Sequence, residues 1–265
     1  MNILSRRSTL RGAAAFTLAA AAPLAAGFGA TRTVLAAAPI SRMDLPWWRK
    51  RHEEKLKELA DTQPTLIFLG DSITENWEKS GPPDWQEFQQ AWKRFYGDRK
   101  AVNLGFKGDT TASLLWRIRN GEVANIKPKV AVVLIGANNF GRVHWDAEET
   151  VQGIDAIIGE LRKRLPDTKI LLLGVLPSDR SPWVTEQTAT INKALARNYK
   201  SVPMVTYLDL TPIFMKGNTL NRSLFYDPLL SPPEAPLHPT AQGQALMSQT
   251  MEPVLSAMLG DRPHG

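Results

Sequence analysis

Cysteine is absent from the 265-residue chain, which also contains only four histidines. The first absence excludes disulfides, a thiol nucleophile and thiolate metal ligands. The second leaves few candidates for a histidine base. Beyond residue 38 the chain lacks any apolar run approaching the roughly 18 residues of a membrane span. A hydrophobic content of 43% is still ample for one sizeable core, which excludes a disordered protein.

Little net charge remains once the first segment is set apart. The formal charge is +6, but residues 1–38 contain four arginines and no acidic residue. The rest of the chain has 28 basic and 26 acidic side chains. A nearly balanced domain of this kind predicts no nucleic-acid partner.

Residues 1–38 have the layout of an export signal. The stretch SRRSTLR, Ser5 to Arg11, precedes an alanine-rich apolar run that a proline and a glycine interrupt, and small residues follow. It resembles the bacterial twin-arginine signal, with cleavage expected between Ala36 and Pro39. An uncleaved anchor is the alternative, although alanine makes a weakly apolar span. We therefore predict a periplasmic or secreted protein that uses the twin-arginine export machinery and has no membrane span in its mature form.

The remaining chain divides into a charged helical lead-in (39–64), a domain (65–260) and a short tail (261–265). Short, nearly continuous apolar runs alternate with helical patterns along the domain, as in parallel strands that are covered on both faces. Five such runs are predicted as strands: Thr65–Leu69, Ala101–Leu104, Val130–Ile135, Lys169–Leu173 and Val205–Leu208. The pattern predicts an α/β fold, a three-layer α/β/α sandwich with a five-stranded, mainly parallel sheet.

Small and polar residues follow the first three predicted strands. Ser72 comes after the first, Gly108 after the second and Asn138 after the third. Since ligands bind at the carboxyl ends of such strands, we expect these residues at one edge of the sheet. Ser72 could serve as a nucleophile, with its own N–H, the Gly108 N–H and the Asn138 side chain as oxyanion donors.

A serine nucleophile needs a base, and the histidines differ in their suitability. His52 lies in the charged lead-in, where a solvated helix face is expected, and His264 lies in the tail, where disorder is expected. His144 follows the third strand. His238 opens the last helical pattern after a loop, which favours it as the base because this position places it on the rim that carries Ser72.

Four short blocks of the sequence resemble those of a known family. The blocks GDSITENW, NLGFKGDTT, VLIGANN and LHPTAQG are similar, in this order, to the four blocks of the SGNH or GDSL-type serine esterases, and particularly to the catalytic subunits of platelet-activating-factor acetylhydrolase Ib. The resemblance runs from about Pro46 to Leu255. It implies a flavodoxin-like fold and a serine mechanism without a metal or cofactor. Ser72 would be the nucleophile, His238 the base, and Gly108 and Asn138 oxyanion donors.

The chain departs from the family at the third triad residue. The family places an aspartate three residues before the histidine, where this chain has Ala235. Glu234 lies one residue further back and Asp227 precedes a proline-rich loop. We interpret Glu234 as the carboxylate that orients His238, with Asp227 or a backbone carbonyl as the alternatives.

Other polar residues favour ordinary structural roles. Asp71 and Asp109 lack the neighbouring ligands of a metal site, so helix capping and turn bonding are expected of them. The stretch GFKGDTT lacks the Gly-Lys-Ser/Thr ending of a phosphate-binding loop. Tryptophans could stack on sugar rings or pack in the core, and core packing is the favoured interpretation. The four of most interest are Trp47, Trp48, Trp77 and Trp85.

The function predicted from these residues is an exported serine esterase that hydrolyses short-chain esters, with acetyl the expected acyl group. Its substrate would be a small acyl ester or an acetylated glycan. Two alternatives remain open, namely an O-acyltransferase with the same site and a non-catalytic carbohydrate-binding domain, which Ala235 favours. The sequence does not indicate an oligomeric state.

Overall fold

The computed structural model describes residues 34–81 and 86–264. The predictions for residues 1–33 and for Trp85 lie outside the described residues. Within these two ranges the chain forms eight α-helices: α1 (Pro46–Thr62), α2 (Ser72–Glu75), α3 (Gln89–Tyr96), α4 (Thr111–Arg117), α5 (Ala137–Val143), α6 (Ala147–Arg164), α7 (Pro182–Asn198) and α8 (Ala241–Leu259). The same described residues form seven strands: β1 (Leu66–Gly70), β2 (Ala101–Gly105), β3 (Val130–Leu134), β4 (Lys169–Leu173), β5 (Val205–Leu208), β6 (Met215–Lys216) and β7 (Thr219–Leu220).

The first five strands form one parallel sheet in the order β2-β1-β3-β4-β5. Each begins and ends within a residue of its predicted bounds. β1 to β4 are buried at all or all but one of their residues, as the apolar runs predict, whereas β5 is buried only at Val205. β6 and β7 pair separately as a short antiparallel ribbon that the sequence analysis did not predict. The five-stranded α/β fold is confirmed, with the strand order of flavodoxin-like proteins.

The strand order reverses between β1 and β3. In the register of the sheet, Gly70 at the end of β1 pairs with Gly105 of β2 and with Leu134 of β3, so the three strands end at the same level. Chain segments leaving β1 and β3 turn to opposite faces at this point, and a crevice opens between them. Ser72 follows β1 and Asn138 follows β3, which places both at the crevice.

Helices cover the sheet in two groups. α4 packs on α6 and α6 on α7, while α3 packs on α8, which also contacts β3. Apolar side chains from both groups join those of the strands in one core. The sheet is thus enclosed by apolar side chains, and the candidate site residues lie at the strand ends.

The lead-in helix α1 is part of this body, contrary to its predicted solvated charges. Trp48, His52, Lys55 and Leu59 recur at helical spacing and are all buried. The polar members find partners, since His52 Nε2 lies 3.1 Å from the carbonyl oxygen of Asn120 and Lys55 is ion-paired. The prediction of a solvated His52 is therefore wrong: a partnered polar residue can occupy a buried helix face.

The end of the described chain is also packed against the domain. The His264 backbone N–H donates to Glu252 at 2.7 Å, and its ring Nδ1 lies 3.1 Å from the carbonyl oxygen of Phe95. Asp261 pairs with the buried Arg99 at 2.9 Å. The expectation of a disordered tail at His264 is therefore wrong. Among the helices of residues 34–81 and 86–264, none has both the length and the hydropathy that a membrane crossing requires.

Candidate active site

Ser72 lies on a tight turn between β1 and α2. Asp71 is the N-cap of α2, and its side chain accepts a hydrogen bond from the Ile73 backbone N–H at 2.9 Å. Gly70 must be glycine, because a Cβ there would lie 2.2 Å from Thr74 Oγ1 and 2.5 Å from the Leu134 carbonyl oxygen. The predicted capping role of Asp71 is thus seen, and the turn presents Ser72 at the first position of the helix.

His238 meets Ser72 as the sequence predicted. Its Nε2 lies 2.9 Å from Ser72 Oγ, although the two residues are 166 positions apart. The histidine side chain is about one quarter exposed and Ser72 is 7% exposed, so the pair lies at the rim of the crevice and within reach of a small ligand. This is the hydrogen-bond geometry that a serine nucleophile and its base require.

Asp227 completes the arrangement at the other ring nitrogen. Its Oδ1 lies 2.5 Å from His238 Nδ1, and its Oδ2 accepts the backbone N–H groups of Leu237 at 2.7 Å and His238 at 2.6 Å. Burial opposes ionisation, but the hydrogen bonds from His238 and Leu237 and the electrostatic attraction of the His238 ring outweigh it and lower the pKa of Asp227. An ionised carboxylate only accepts, so Nδ1 carries the proton and Nε2 is free to take one from Ser72.

The preference for Glu234 as this carboxylate is corrected by the geometry. Glu234 is exposed, and its backbone N–H donates to the Asp227 carbonyl oxygen at 3.0 Å. The chain pairs with itself around the proline-rich loop, since Tyr226 N–H donates to the His238 carbonyl oxygen at 2.7 Å. This pairing brings Asp227 to His238 although 11 positions of sequence separate them. Residue spacing alone did not reveal that the two are in contact.

Two backbone N–H groups near Ser72 have no acceptor among the residues that the structure describes. They belong to Ser72 itself and to Gly108, both of which are buried. Gly108 has φ +75° in a turn closed by the Asp109 N–H on the Phe106 carbonyl oxygen at 3.1 Å, a conformation that favours glycine. Folded proteins rarely leave a buried N–H donor without an acceptor. We therefore interpret these two N–H groups as donors to a developing oxyanion.

The Gly108 N–H is held in one orientation from outside the loop. Arg42 Nη1 donates to the Lys107 carbonyl oxygen at 3.0 Å and to Asp109 Oδ1 at 2.7 Å. Because the peptide unit is planar and trans, fixing the Lys107 carbonyl makes the Gly108 N–H point the opposite way. Arg42 was not among the predicted site residues, since it precedes the predicted domain.

Asn138, in the first turn of α5, joins the same cluster. Its Nδ2 donates to the Asp109 carbonyl oxygen at 3.0 Å and to Asp71 Oδ2 at 3.3 Å. Burial raises the pKa of Asp71 to about 6, against the opposing hydrogen bond from Ile73. The 3.3 Å contact with Asp71 is the weaker of the two, so the Asn138 amide can give it up for another acceptor at the crevice.

Asp109 does more than the predicted turn bonding. Its carboxylate accepts from Trp48 Nε1 at 2.8 Å and from the fully buried Arg117 at 2.8 Å, in addition to Arg42. Arg117 in turn donates to the Gly70 carbonyl oxygen at 3.1 Å. A buried polar network thus braces the loops that follow β1 and β2. In the described part of the chain, no group of three or more histidine and carboxylate side chains is arranged to hold a metal ion.

Other candidates lie apart from Ser72, with one addition that the sequence analysis missed. His144 is exposed and its ring packs 5.3 Å from that of Trp183. Trp48 and Trp77 are buried, as favoured, whereas Trp47 is 44% exposed.

Arg180, after β4, is a site residue that was not predicted. It is largely buried and donates to the Ala137 carbonyl oxygen at 3.0 Å. It also lies in the electrostatic field of Asp71 and Asp227. Its position after a predicted strand is the sequence feature that could have identified it.

Chemically, the arrangement suits acyl transfer. A serine oxygen, a histidine base with its orienting carboxylate, and unpaired N–H donors converge within one crevice. These are the groups that form and stabilise a tetrahedral intermediate.

Comparisons with known proteins agree with this chemistry. The model of the GDSL-like Lipase/Acylhydrolase family matches residues 68–246. Platelet-activating factor acetylhydrolase IB subunit alpha2 of Gallus gallus is 32% identical over 172 residues, which cover 64% of this chain and 70% of that protein. A GDSL-like lipase from Bacteroides thetaiotaomicron superposes with a TM-score of 0.60 at 20% identity, covering 78% of this chain and 97% of that one. A variant of an acetyl-xylooligosaccharide esterase from Geobacillus Stearmophilus gives 0.52 at 17% identity, covering 75% and 95%. The two solved structures bear on the fold.

Proposed function

The chain belongs to the GDSL-like lipase/acylhydrolase family and is a carboxylic ester hydrolase, and we propose that it releases short acyl groups, acetyl foremost, by a Ser72-His238-Asp227 mechanism. The observation that carries the mechanism is the continuous hydrogen-bonded chain from Ser72 Oγ through the His238 ring to Asp227.

In the acylation step His238 Nε2 takes the hydroxyl proton of Ser72 while Oγ attacks the ester carbonyl carbon. The carbonyl electron pair moves to its oxygen and gives a tetrahedral oxyanion. Collapse of this intermediate breaks the bond to the alcohol oxygen, which receives the proton from Nε2. Asp227 stabilises the imidazolium between these two transfers without taking its proton.

In the second half of the reaction water attacks the acyl-enzyme. His238 removes a proton from the water, the second oxyanion collapses, and the proton returns to Ser72 Oγ as the acid leaves. The Ser72 and Gly108 N–H groups donate to both oxyanions. Asn138 adds a third donor by exchanging its 3.3 Å contact with Asp71 for the substrate oxygen.

The proposed substrates are acetyl esters, carried on a glycan or another small alcohol. One solved structure of the same fold is named as an acetyl-xylooligosaccharide esterase, and the related curated protein as an acetylhydrolase. Trp47 is exposed and could contribute an apolar surface to a sugar ring. Export remains part of the proposal and rests on the paired arginines at Arg6 and Arg7.

The mechanism is tested with Ser72→Ala and with Ser201→Ala as the matched control, since Ser201 is exposed and lies after α7. On an acyl series of 4-nitrophenyl esters, the wild type and the control should release acetyl fastest. Ser72→Ala should lose activity while keeping its thermal midpoint. Acetyl release by Ser72→Ala at the wild-type rate would contradict the proposal.

Acyl transfer to a sugar would use the same residues, so products should be analysed with and without an acceptor sugar; acetylated acceptor in place of acetate would favour a transferase. A non-catalytic domain was favoured only by Ala235, and Asp227 now occupies the place beside His238. Export is tested by cell fractionation of the full chain with both arginines changed to lysine. The proposal expects that variant to remain in the cytoplasm.

A further inference from the structure

A cavity of about 340 Å³ lies against the loop that carries Gly108, and most of its lining is cationic. The residues around it are Arg42, Leu45, Trp47, Lys107 and Arg142. No carboxylate lines it within the described part of the chain. We refer to it as the cationic cavity.

The charges of this cavity are only partly compensated. Arg42 uses Nη1 for Lys107 and Asp109, whereas its Nη2 has no acceptor in residues 34–81 and 86–264. Over the same described ranges, the Arg142 guanidinium and the Lys107 ammonium form no ion pair or side-chain hydrogen bond. Two carboxylates lie close by, and other cations share both of them. Asp109 is shared with Arg117. Glu75, which accepts the Lys107 backbone N–H at 2.5 Å, is shared with Arg51 and Lys79. The cavity therefore has a net positive field that a ligand could neutralise.

Both guanidinium groups converge on the oxyanion loop. A Cβ placed on Gly108 would lie 2.6 Å from Arg142 Nη1 and 3.4 Å from Arg42 Nη2, so both nitrogens reach the surface of the loop at nearly the same point. Like charges held this close repel one another unless an anion lies between them. Guanidinium forks suit the planar oxygens of a carboxylate and those of a phosphate.

An apolar wall completes the cavity. Trp47 is 44% exposed, and Arg42 Cζ lies 5.3 Å from its ring centroid, which holds the guanidinium over the indole. Leu45 lies beside it. A ring or short carbon chain that carries the anion would therefore have an apolar surface to rest on.

We infer that the cationic cavity is a specificity subsite for an anionic group, a carboxylate or phosphate, carried by the ester substrate. The inference rests on the proposed function, because it places this anion beside the loop at Lys107 and Gly108, whose N–H receives the oxyanion. Esters with such a group should be preferred over neutral ones of similar shape.

The test compares 4-acetoxybenzoate, 4-acetoxyphenyl phosphate and the neutral 4-acetoxybenzamide, each corrected for its spontaneous hydrolysis rate. The wild type should show a higher kcat/KM on the two anionic esters, with a preference that weakens as salt is added. Lys107→Gln combined with Arg142→Gln should lower the anionic-to-neutral ratio by about tenfold, the size expected of two partly exposed charge pairs. Lys200→Gln, an exposed lysine after α7, is the charge-matched control and should keep the wild-type ratio.

The outcomes separate this inference from the proposed function. The subsite alone would be overturned if the neutral acetyl ester is hydrolysed in a Ser72-dependent reaction and the anionic esters are not preferred over it. Preference for one anionic ester only would identify whether carboxylate or phosphate is the ligand. If no ester is hydrolysed, the proposed function fails and calorimetric titration with inorganic phosphate decides the subsite. Saturable binding that the double variant loses would support it, and an absence of binding would overturn it.

Discussion

Replacing Asp227 by asparagine should disable the base while leaving the fold in place. Asp227 Oδ2 accepts two backbone N–H groups, from Leu237 and His238, and Oδ1 accepts Nδ1–H. An asparagine keeps the two backbone bonds only by turning its carbonyl oxygen towards them, which directs its NH₂ group at Nδ1. His238 must then carry its proton on Nε2, where it can no longer accept the Ser72 hydroxyl proton.

The expected loss in kcat is about 10³-fold, within the range of roughly 10² to 10⁴ for a histidine held in the wrong tautomer, and corresponds to about 4 kcal/mol of transition-state stabilisation. KM should change little, because Asp227 is 3% exposed and lies behind the histidine. The assay is steady-state hydrolysis of 4-nitrophenyl acetate, with thermal midpoints as the check on folding. Glu234→Gln, the same chemical change in the same loop, should remain near wild type. A kcat for Asp227→Asn within about threefold of wild type, or an equal loss for Glu234→Gln, would contradict this role of Asp227.

Three further changes test the surrounding network. Asn138→Ala should lower kcat by about 10² to 10³-fold with a small effect on KM, because it removes one oxyanion donor; equal losses in substrate binding measured with a non-hydrolysable analogue would contradict this. The pKa of Asp71 is raised from 3.8 to about 6, so its contribution to stability is complete below pH 3.8 and is lost as pH rises through 6. Urea unfolding should therefore show the wild type losing about 3 kcal/mol relative to Asp71→Asn between pH 3.5 and 7, and parallel curves would refute the shift. Arg117→Met leaves two buried carboxylates without their guanidinium and should cost about 3 to 5 kcal/mol in the same assay, whereas the exposed Arg197→Met should cost little.

The sheet and most of the candidate site could be predicted because they depend on local patterns. The apolar runs of β1 to β4 are almost entirely buried, and a run of that kind has few alternatives to a parallel strand, whereas β5 lies at the sheet edge and is buried only at Val205. Once the strands are parallel, their carboxyl ends share an edge, so Ser72, Gly108 and Asn138 had to converge. His238 followed from its place before the last helix.

The parts that could not be predicted depend on contacts between distant segments. Asp227 reaches His238 because the chain pairs across Phe225 and Pro239, and nothing in the residue spacing encodes that pairing. His52 is polar yet buried, since its partners are supplied by another segment. Arg42 lies 67 positions from the Asp109 carboxylate that anchors it, so its hold on the oxyanion loop is visible only in three dimensions.

The closed loop between Asp227 and His238 has a consequence for how such an enzyme can diversify. Its two ends are joined by the Tyr226 N–H on the His238 carbonyl oxygen and by the backbone N–H groups of Leu237 and His238 on Asp227. Residues 228–236 can therefore lengthen, shorten or change composition without moving the acid from the base. Because this loop ends at His238, changes in it could alter which alcohols are accepted while the proton-transfer pair stays in place.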